Sequence, residues 1–206
     1  MNPDLLLQII YNSAVLLTIS LIHEISFSDT GKSKHHNLAS GAILGLIGII
    51  IMSIPFELQE GIIFDTRSIL VGLTALYFGL PATLIAAAMM AGYRFFIGGA
   101  AALTGILVIS LSAVLGTLWR RYFASGTSTF NWKNAFAFGL TLHIGMLLCM
   151  LTLPWETAAA VLRAITLPVL MIYPITTVLL SRLIHDQKQQ KSAIALIKEA
   201  EEKYKT

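Results

Sequence analysis

The chain has 206 residues, of which 56 % are hydrophobic and 12 % are charged, and its mean hydropathy is +0.76. Because an ordinary soluble domain has roughly 25 % charged residues, this composition excludes a soluble globular domain and indicates an integral membrane protein. The net charge of +3 does not indicate a nucleic-acid partner, since cytoplasmic loops rich in lysine and arginine give membrane proteins the same excess. The single cysteine, Cys149, excludes an internal disulfide bond.

The membrane-spanning elements are predicted to be helices. Several apolar segments approach the ~20 residues that a helix needs to cross the bilayer, and none alternates like a strand of an outer-membrane barrel. The first segment has no positive leader and no small-residue cleavage site, so we expect it to be retained. The sequence thus predicts an all-α, polytopic membrane helical bundle of about seven segments. In chain order they cover about Leu5–Ile22, Leu38–Ile54, Thr66–Phe78, Pro81–Arg94, Ala101–Leu118, Ala135–Leu153 and Ala158–Leu183.

The third and fourth segments form a short-helix hairpin joined by the sequence Phe78-Gly79-Leu80-Pro81. Arg67 begins the first arm, Arg94 ends the second, and Asp65 is placed to cap the first arm through its side-chain oxygen. At ~1.5 Å per residue each arm is only ~20 Å long, which is short for a bilayer. We therefore expect the Gly79 turn to lie below the far membrane surface, surrounded by protein or by a water-filled cavity.

The distribution of positive charge predicts the orientation of the bundle. With the N-terminus outside, the outer side receives only Arg67, Arg94 and Arg163, together with the acidic connection 56–65. The opposite side receives most of the positive charge and is therefore predicted to be cytoplasmic, as is the C-terminus. The basic residues on that side are Lys32, Lys34, Arg120, Arg121, Lys133, Arg182 and the basic tail.

The composition changes after the last apolar segment. Residues 1–184 are predicted to be the membrane domain, and residues 185–206 a cytoplasmic helix, since they contain no glycine or proline. A narrow apolar stripe along this helix favours pairing with a second copy of the chain, so we expect a homodimer; the alternative is a solvated helix without a partner. The final residues have no helix stop, so we expect the native polypeptide to continue. The stripe consists of Ile184, Ile194, Ile197 and Ala200.

Arg67 and Arg94 are the candidate functional residues. The antiparallel hairpin brings them to similar depth on the outer side, where two guanidinium groups repel unless an anion lies between them. The candidate anions are Asp65, Glu60, lipid phosphates and a small carboxylate ligand. Arginine matches a carboxylate with two parallel hydrogen bonds, and the N-terminus of the first arm adds its free N–H groups. The alternative is that each arginine only reaches the headgroups or pairs with a nearby acid.

Several neighbouring residues are predicted to support this site, and no catalytic residue, metal ligand or cofactor is predicted. Tyr93 is equally typical of the membrane interface, and a glycine pair is equally typical of a turn. The lone His143 has no evident partner in the sequence, so we predict a packing or hydrogen-bonding role and not an intramembrane enzyme. The predicted supporting residues are Asp65, Ser68, Tyr93, Gly98, Gly99 and Thr104.

These residues carry a resemblance to a known family. The stretch 61–106 resembles the signature region of the LytS-YhcK type transmembrane receptor domain (5TM-5TMR-LYT), the N-terminal sensor region of bacterial histidine kinases and diguanylate cyclases. The shared features are the D-x-R motif before a short helix, the F-G-x-P turn, the Tyr93-Arg94 pair, and a Gly-Gly followed by small residues. Pro168, Tyr173 and Pro174 resemble the closing helix of that family, and the resemblance spans roughly residues 38–183.

The resemblance implies a sensor domain in the bacterial plasma membrane that has no catalytic activity of its own. Relatives sense small carboxylates such as pyruvate, or the state of the cell envelope, and Arg67 and Arg94 fall on the motif positions that would bind such an anion. The tail resembles a linker helix that enters an output domain, so the full-length protein is expected to be a histidine kinase or a diguanylate cyclase. The family also has some likeness to the substrate-binding subunits of ECF vitamin transporters, which supplies the alternative, a transport function.

The predicted orientation can be tested with reporter fusions. Green fluorescent protein fused after Thr206 is expected to fluoresce, and alkaline phosphatase fused there is expected to be inactive, because the charge count places the C-terminus in the cytoplasm. Alkaline phosphatase fused after Gly99, on the predicted outer side, is the control and should be active. A dark fluorescent fusion together with an active phosphatase at Thr206 would reverse the orientation.

Overall fold

The computed structural model describes residues 7, 9–16, 34–59, 61–123 and 131–205. Both ends of the predicted first helix, residues 23–33 of the loop that follows it, and Glu60 lie outside the described residues. The rest of the predicted loop is helical, since α2 begins at Lys34 and not at Leu38. The secondary structure, in chain order, is α1 (residues 9–16), α2 (Lys34–Ser53), β1 (Phe56–Gln59), β2 (Ile62–Phe64), α3 (Arg67–Phe78), α4 (Leu80–Ile97), α5 (Ala102–Phe123), α6 (Trp132–Cys149), a 3₁₀ turn (Met150–Thr152) and α7 (Trp155–Lys205).

The predicted all-α membrane bundle of about seven helical segments is confirmed within the described part of the chain. Helices α4 to α7 are each long and apolar enough to cross a membrane, and α2 and α3 contain shorter apolar stretches. In the bundle α2 packs on α4, α3 packs on α5, and α6 packs on α7. The chain is thus a multi-pass membrane protein.

A small β-hairpin between α2 and α3 was not predicted. Strands β1 and β2 pair in antiparallel fashion, with Phe56 opposite Phe64. The side chains of Ile62 and Phe64 are buried, so the hairpin covers one end of the bundle. Strands of four and three residues are too short for an alternating pattern to identify them in a sequence.

The two ends of the bundle can be distinguished by their contacts. At the outer end, Thr104 at the start of α5 hydrogen-bonds Thr152 before α7, with 2.7 Å between the hydroxyl oxygens. At the inner end, Arg120 of α5 donates to the backbone oxygen of Leu76 near the end of α3, at 3.0 Å. The names outer and inner follow the predicted orientation, which places Arg67 outside and Arg120 inside.

The hairpin of α3 and α4 has arms of unequal length. Helix α3 has 12 residues and ends at Phe78, whereas α4 has 18 residues and continues past Arg94 to Ile97. The predicted turn is confirmed, and Gly79 is buried beside the side chain of Arg120 at the inner end. The expectation that both arms are equally short is wrong for α4, which at about 27 Å nearly spans the hydrocarbon.

Helix α7 continues without interruption from the membrane domain into the charged tail. Its 51 residues run from Trp155 to Lys205 and include Pro168 and Pro174. A helix of this length measures about 75 Å, which is more than twice the ~30 Å hydrocarbon core of a bilayer. The C-terminal part of α7 therefore projects from the inner end, and its Ile194 and Ile197 are more than half exposed.

Glycine residues permit the closest approaches between the helices. A Cβ atom added at Gly41 of α2 would lie 2.7 Å from the backbone oxygen of Ala82 on α4. A Cβ atom at Gly116 of α5 would overlap the backbone oxygen of Gly72 on α3. Since lipid provides no hydrophobic force that draws helices together, such close backbone packing is a main source of association energy.

Gly116→Ala is expected to destabilise the bundle by about 1–3 kcal/mol, because the new methyl group forces α5 away from the backbone of α3. The matched control is Gly92→Ala in α4, where an added Cβ atom meets nothing within 4 Å. Equilibrium unfolding in detergent micelles measures both variants. Equal stability of the two variants would contradict the close packing of α3 on α5.

Candidate functional site

Asp65 and Arg67 form a buried ion pair at the N-terminus of α3. One carboxylate oxygen of Asp65 accepts from the backbone N–H of Arg67 at 2.9 Å, and the other accepts from Arg67 Nη1 at 2.7 Å. The side chains are 0 % and 8 % exposed, respectively. As predicted, a side-chain oxygen of Asp65 accepts a first-turn N–H. The helix begins at Arg67, one residue later than predicted, so its N-cap residue is Thr66. One carboxylate thus both caps α3 and neutralises the first arginine.

Arg94 lies near the C-terminal end of α4, is only 1 % exposed, and binds backbone oxygens instead of an acid. Its Nη1 donates to the oxygen of Gly98, and its Nη2 donates to the oxygen of Gly61 at 3.2 Å. The oxygen of Gly61 also accepts from the backbone N–H of Ala101, at 3.3 Å. Arg94 therefore joins the turn between β1 and β2 to the connection between α4 and α5.

The glycine pair after α4 forms a turn that packs on this β-hairpin. Gly61 and Gly99 have φ values of 74° and 90°, in the region that favours glycine. A Cβ atom added at Gly99 would lie 2.8 Å from the Cα atom of Gly61, so no side chain fits between the two backbones. The observed close approach of Gly99 is to Gly61, and Gly98 contributes the carbonyl that Arg94 binds.

The two guanidinium groups meet at Gly105, in the first turn of α5. A Cβ atom added there would lie 2.7 Å from Arg94 Nε and 3.1 Å from Arg67 Nη2. Arg94 Nε is buried and has no hydrogen-bond partner among the residues that the structure describes. The predicted proximity of the two arginines is therefore observed, at a residue that has no side chain to fill the space between them.

A pocket opens beside this point. Its space is about 370 Å³, open solvent at its mouth included, and its enclosed part has room for about one water molecule. Its polar groups come from the start of α3 and from Thr104 of α5, whereas Met146 of α6 and Met150 of the 3₁₀ turn are apolar, a mixture typical of small-molecule sites. The lining residues are Ile62, Ile63, Phe64, Asp65, Arg67, Ser68, Ala101, Thr104, Gly105, Val108, Met146 and Met150.

Most of the predicted site residues come together, but not all line the pocket. The hydroxyl of Tyr93 lies 2.8 Å from that of Ser53 on α2, and Tyr93 is not among the lining residues. The glycine pair belongs to the turn bound by Arg94, and Arg94 itself is not among the lining residues. The predicted residues that do line the pocket are Asp65, Arg67, Ser68 and Thr104.

Sequence reasoning predicted Thr104 of α5 but missed the apolar residues that α5, α6 and the 3₁₀ turn contribute to the pocket. Val108, Met146 and Met150 look like any other lipid-facing or core residues of a membrane helix, so only the fold assigns them to the pocket. Gly105 had a weak signal, as the end of a small-residue stretch. The hydrogen-bonding role predicted for His143 is observed, since it is buried and its Nδ1 lies 2.6 Å from the backbone oxygen of Gly139.

Comparison with known proteins identifies the family. The model of the family described as 5TMR of 5TMR-LYT (5TM-5TMR_LYT) matches residues 19–187, which is most of the chain. No curated protein and no solved structure matches. The domains of this family are sensory membrane domains without catalytic activity. The chain belongs to the 5TMR-LYT family and is a transmembrane sensory domain.

Proposed function

We propose that this domain is a receptor for a small anion, a short carboxylate such as pyruvate, which enters from the outer side and binds between Arg67 and Arg94 over Gly105. The observation that carries the proposal is the buried Nε–H group of Arg94, which has no partner among the described residues and lies next to Arg67. A buried donor without an acceptor costs about 1–3 kcal/mol, so an acceptor supplied by a ligand is strongly favoured.

The charge at this point also favours an anion. The described residues place two guanidinium groups here and pair one carboxylate, that of Asp65, with them. The N-terminus of α3 adds its partial positive charge at the same place. A ligand carboxylate would balance the second guanidinium group and accept hydrogen bonds from Arg94 Nε and Arg67 Nη2.

The structural roles of the two arginines do not compete with this binding role. Asp65 occupies Nη1 of Arg67, while the backbone oxygens of Gly98 and Gly61 occupy Nη1 and Nη2 of Arg94. The nitrogens that converge on Gly105 are different ones, Arg94 Nε and Arg67 Nη2. The same contacts that fix the arginines in place therefore orient their remaining N–H groups for a ligand.

The size of the pocket suggests how binding produces a signal. The enclosed part has room for about one water molecule, so a bound carboxylate would favour an arrangement in which the surrounding helices lie farther apart. A ligand shifts a conformational equilibrium only if it prefers one arrangement of the helices. Pyruvate would bind the wider arrangement and so make it more populated.

Helix α3 offers a direct route from the pocket to the cytoplasmic side. Its outer end carries Arg67, and near its inner end the hydroxyl of Tyr77 donates to Ser181 Oγ of α7 at 3.1 Å. Lys188 Nζ of α7 donates to the backbone oxygen of Tyr77 at 2.7 Å. A movement of α3 would therefore reach α7 at the point where α7 leaves the membrane domain.

The output of the protein is part of the same proposal. Residues 1–184 would form the sensor domain in the bacterial plasma membrane, and residues 185–206 the signalling helix of a histidine kinase or a diguanylate cyclase. The exposed Ile194 and Ile197 support pairing of this helix with a second copy of the chain. The binding event would then change how the two signalling helices pair.

Removing either arginine of the pair is expected to weaken pyruvate binding by roughly ten- to hundredfold, since a charge-assisted hydrogen bond contributes on the order of 1.5–3 kcal/mol. The variants are Arg67→Ala and Arg94→Lys; the second keeps the charge and lacks Nε. Arg163→Ala is the matched control, because Arg163 is the third outer arginine and is exposed. Calorimetry of purified protein in lipid nanodiscs, with pyruvate, acetate and succinate, measures the affinities. Unchanged affinity in both site variants would rule out this site.

Filling the space over Gly105 is expected to block binding without removing any charge. In Gly105→Ala the new methyl group occupies the point on which the two guanidinium groups converge, so pyruvate affinity should fall at least about tenfold. Gly92→Ala, which adds the same methyl group where no atom lies within 4 Å, is the control. Full pyruvate affinity in a folded Gly105→Ala protein would place the ligand elsewhere.

A further inference from the structure

The interior of the bundle contains a polar layer that neither the ion pair nor the pocket requires. It consists of Ser68 on α3, His143 on α6 and Tyr173 on α7, each of them at most 1 % exposed. Polar groups at this depth of a membrane protein are costly and tend to be functional. This layer connects three helices, and one of its members, Ser68, also lines the pocket.

The hydrogen bonds of His143 indicate which groups of the layer donate and which accept. Its Nδ1 lies 2.6 Å from the backbone oxygen of Gly139, and since a carbonyl only accepts, Nδ1 carries the proton. In the neutral ring Nε2 is then an acceptor. Ser68 Oγ lies 3.5 Å from Nε2 and 4.0 Å from Met146 Sδ, so its one proton is shared between two distant acceptors. Hydrogen bonds of these lengths are weak. The Ser68 hydroxyl is therefore loosely held between His143 and the pocket.

The other side of His143 packs against α7. The rings of His143 and Tyr173 have centroids 4.9 Å apart and planes inclined by 60°. One turn earlier on α6, a Cβ atom added at Gly139 would lie 2.9 Å from the Cα atom of Pro174, so the two backbones are in close contact there.

Tyr173 lies in the part of α7 that is easiest to bend. Pro168 and Pro174, both inside the helix, have no backbone N–H, so residues 164 and 170 lose their helical donors. Two missing hydrogen bonds within two turns lower the cost of bending the helix. A small displacement of the ring of Tyr173 acts directly on this segment.

We propose that Ser68, His143 and Tyr173 are positioning residues that transmit the state of the pocket to the proline-flanked segment of α7. This inference rests on the proposed ligand site. A carboxylate in the pocket draws the Ser68 hydroxyl toward itself, His143 Nε2 loses its donor, and the ring of His143 shifts against Tyr173. The layer thus acts on the membrane part of α7, whereas Tyr77 contacts α7 at Ser181 and Lys188, where the helix leaves the membrane domain.

The test separates affinity from the size of the conformational response. In a Cys149→Ala background, spin labels at Arg121→Cys and Gln190→Cys, two exposed positions, report the displacement of the α7 extension relative to α5. Distances between the labels are measured in lipid nanodiscs, first without ligand and then at saturating pyruvate. Because the site is saturated in each variant, a change of affinity does not alter the measured change in distance. His143→Phe keeps an aromatic ring against Tyr173 and removes the acceptor Nε2.

His143→Phe is expected to bind pyruvate within about threefold of the unsubstituted protein and to lose at least about half of the distance change. Ser68→Ala should lose the distance change to a similar extent, and Ser68→Thr, which keeps the hydroxyl, should restore it. Thr141→Ala removes an exposed hydroxyl from the same helix as His143 and is the control. A full distance change in His143→Phe would overturn the proposal.

A second measurement distinguishes failure of the layer from failure of the ligand proposal. If pyruvate does not bind the unsubstituted protein, the proposed ligand is wrong, and the layer is tested by hydrogen exchange of residues 164–178 without ligand. Ser68→Ala and His143→Phe should each alter exchange in this α7 segment, and the double variant should resemble the His143→Phe single variant, because coupled residues are not additive. Unchanged hydrogen exchange in Ser68→Ala, or additive effects of the two substitutions on exchange, would overturn the proposed coupling through this layer.

Discussion

The burial of two guanidinium groups at the outer end of the bundle is the constraint on which the surrounding structure depends. Each buried N–H group needs an acceptor, and the chain supplies acceptors from several elements. The carboxylate of Asp65 accepts from Arg67, while the carbonyls of Gly61 and Gly98 accept from Arg94. These bonds hold the β-hairpin, the start of α3 and the turn after α4 in one place. The site is thus formed by segments that connect the helices, and the arginine hydrogen bonds hold these segments together.

Both ends of the short helix α3 are fixed by contacts within the protein. Its outer end begins at the buried ion pair, and its inner end lies beside α5 and α7, through Arg120 and Lys188. A 12-residue helix surrounded by other helices satisfies its own backbone groups without needing to span the lipid. Such an element can shift as a rigid body and transfer a displacement at one end to the other.

The sequence predicted the helices, the Gly79 turn and the cap at Asp65, since these follow from local hydropathy and from turn and capping chemistry. It also placed Arg67 and Arg94 at neighbouring helix ends. It did not predict the β-hairpin, because the strands are too short to show a pattern. It also ended α4 too early, at the charged Arg94, whereas the apolar residues after Arg94 continue the helix to Ile97. The backbone acceptors of Arg94 and the pocket wall from Met146 depend on tertiary packing, which no local pattern encodes.

The Nε–H group of Arg94, which has no partner in the described part of the chain, is the centre of this account, and nuclear magnetic resonance observes it directly. In protein labelled with ¹⁵N-arginine in lipid nanodiscs, the variant Arg94→Lys assigns its signal. Addition of pyruvate is expected to shift the Arg94 Nε–H resonance downfield, as a carboxylate accepts from it, while the signal of exposed Arg163 stays in place. Saturation of the domain with pyruvate without any shift at Arg94 would contradict the account.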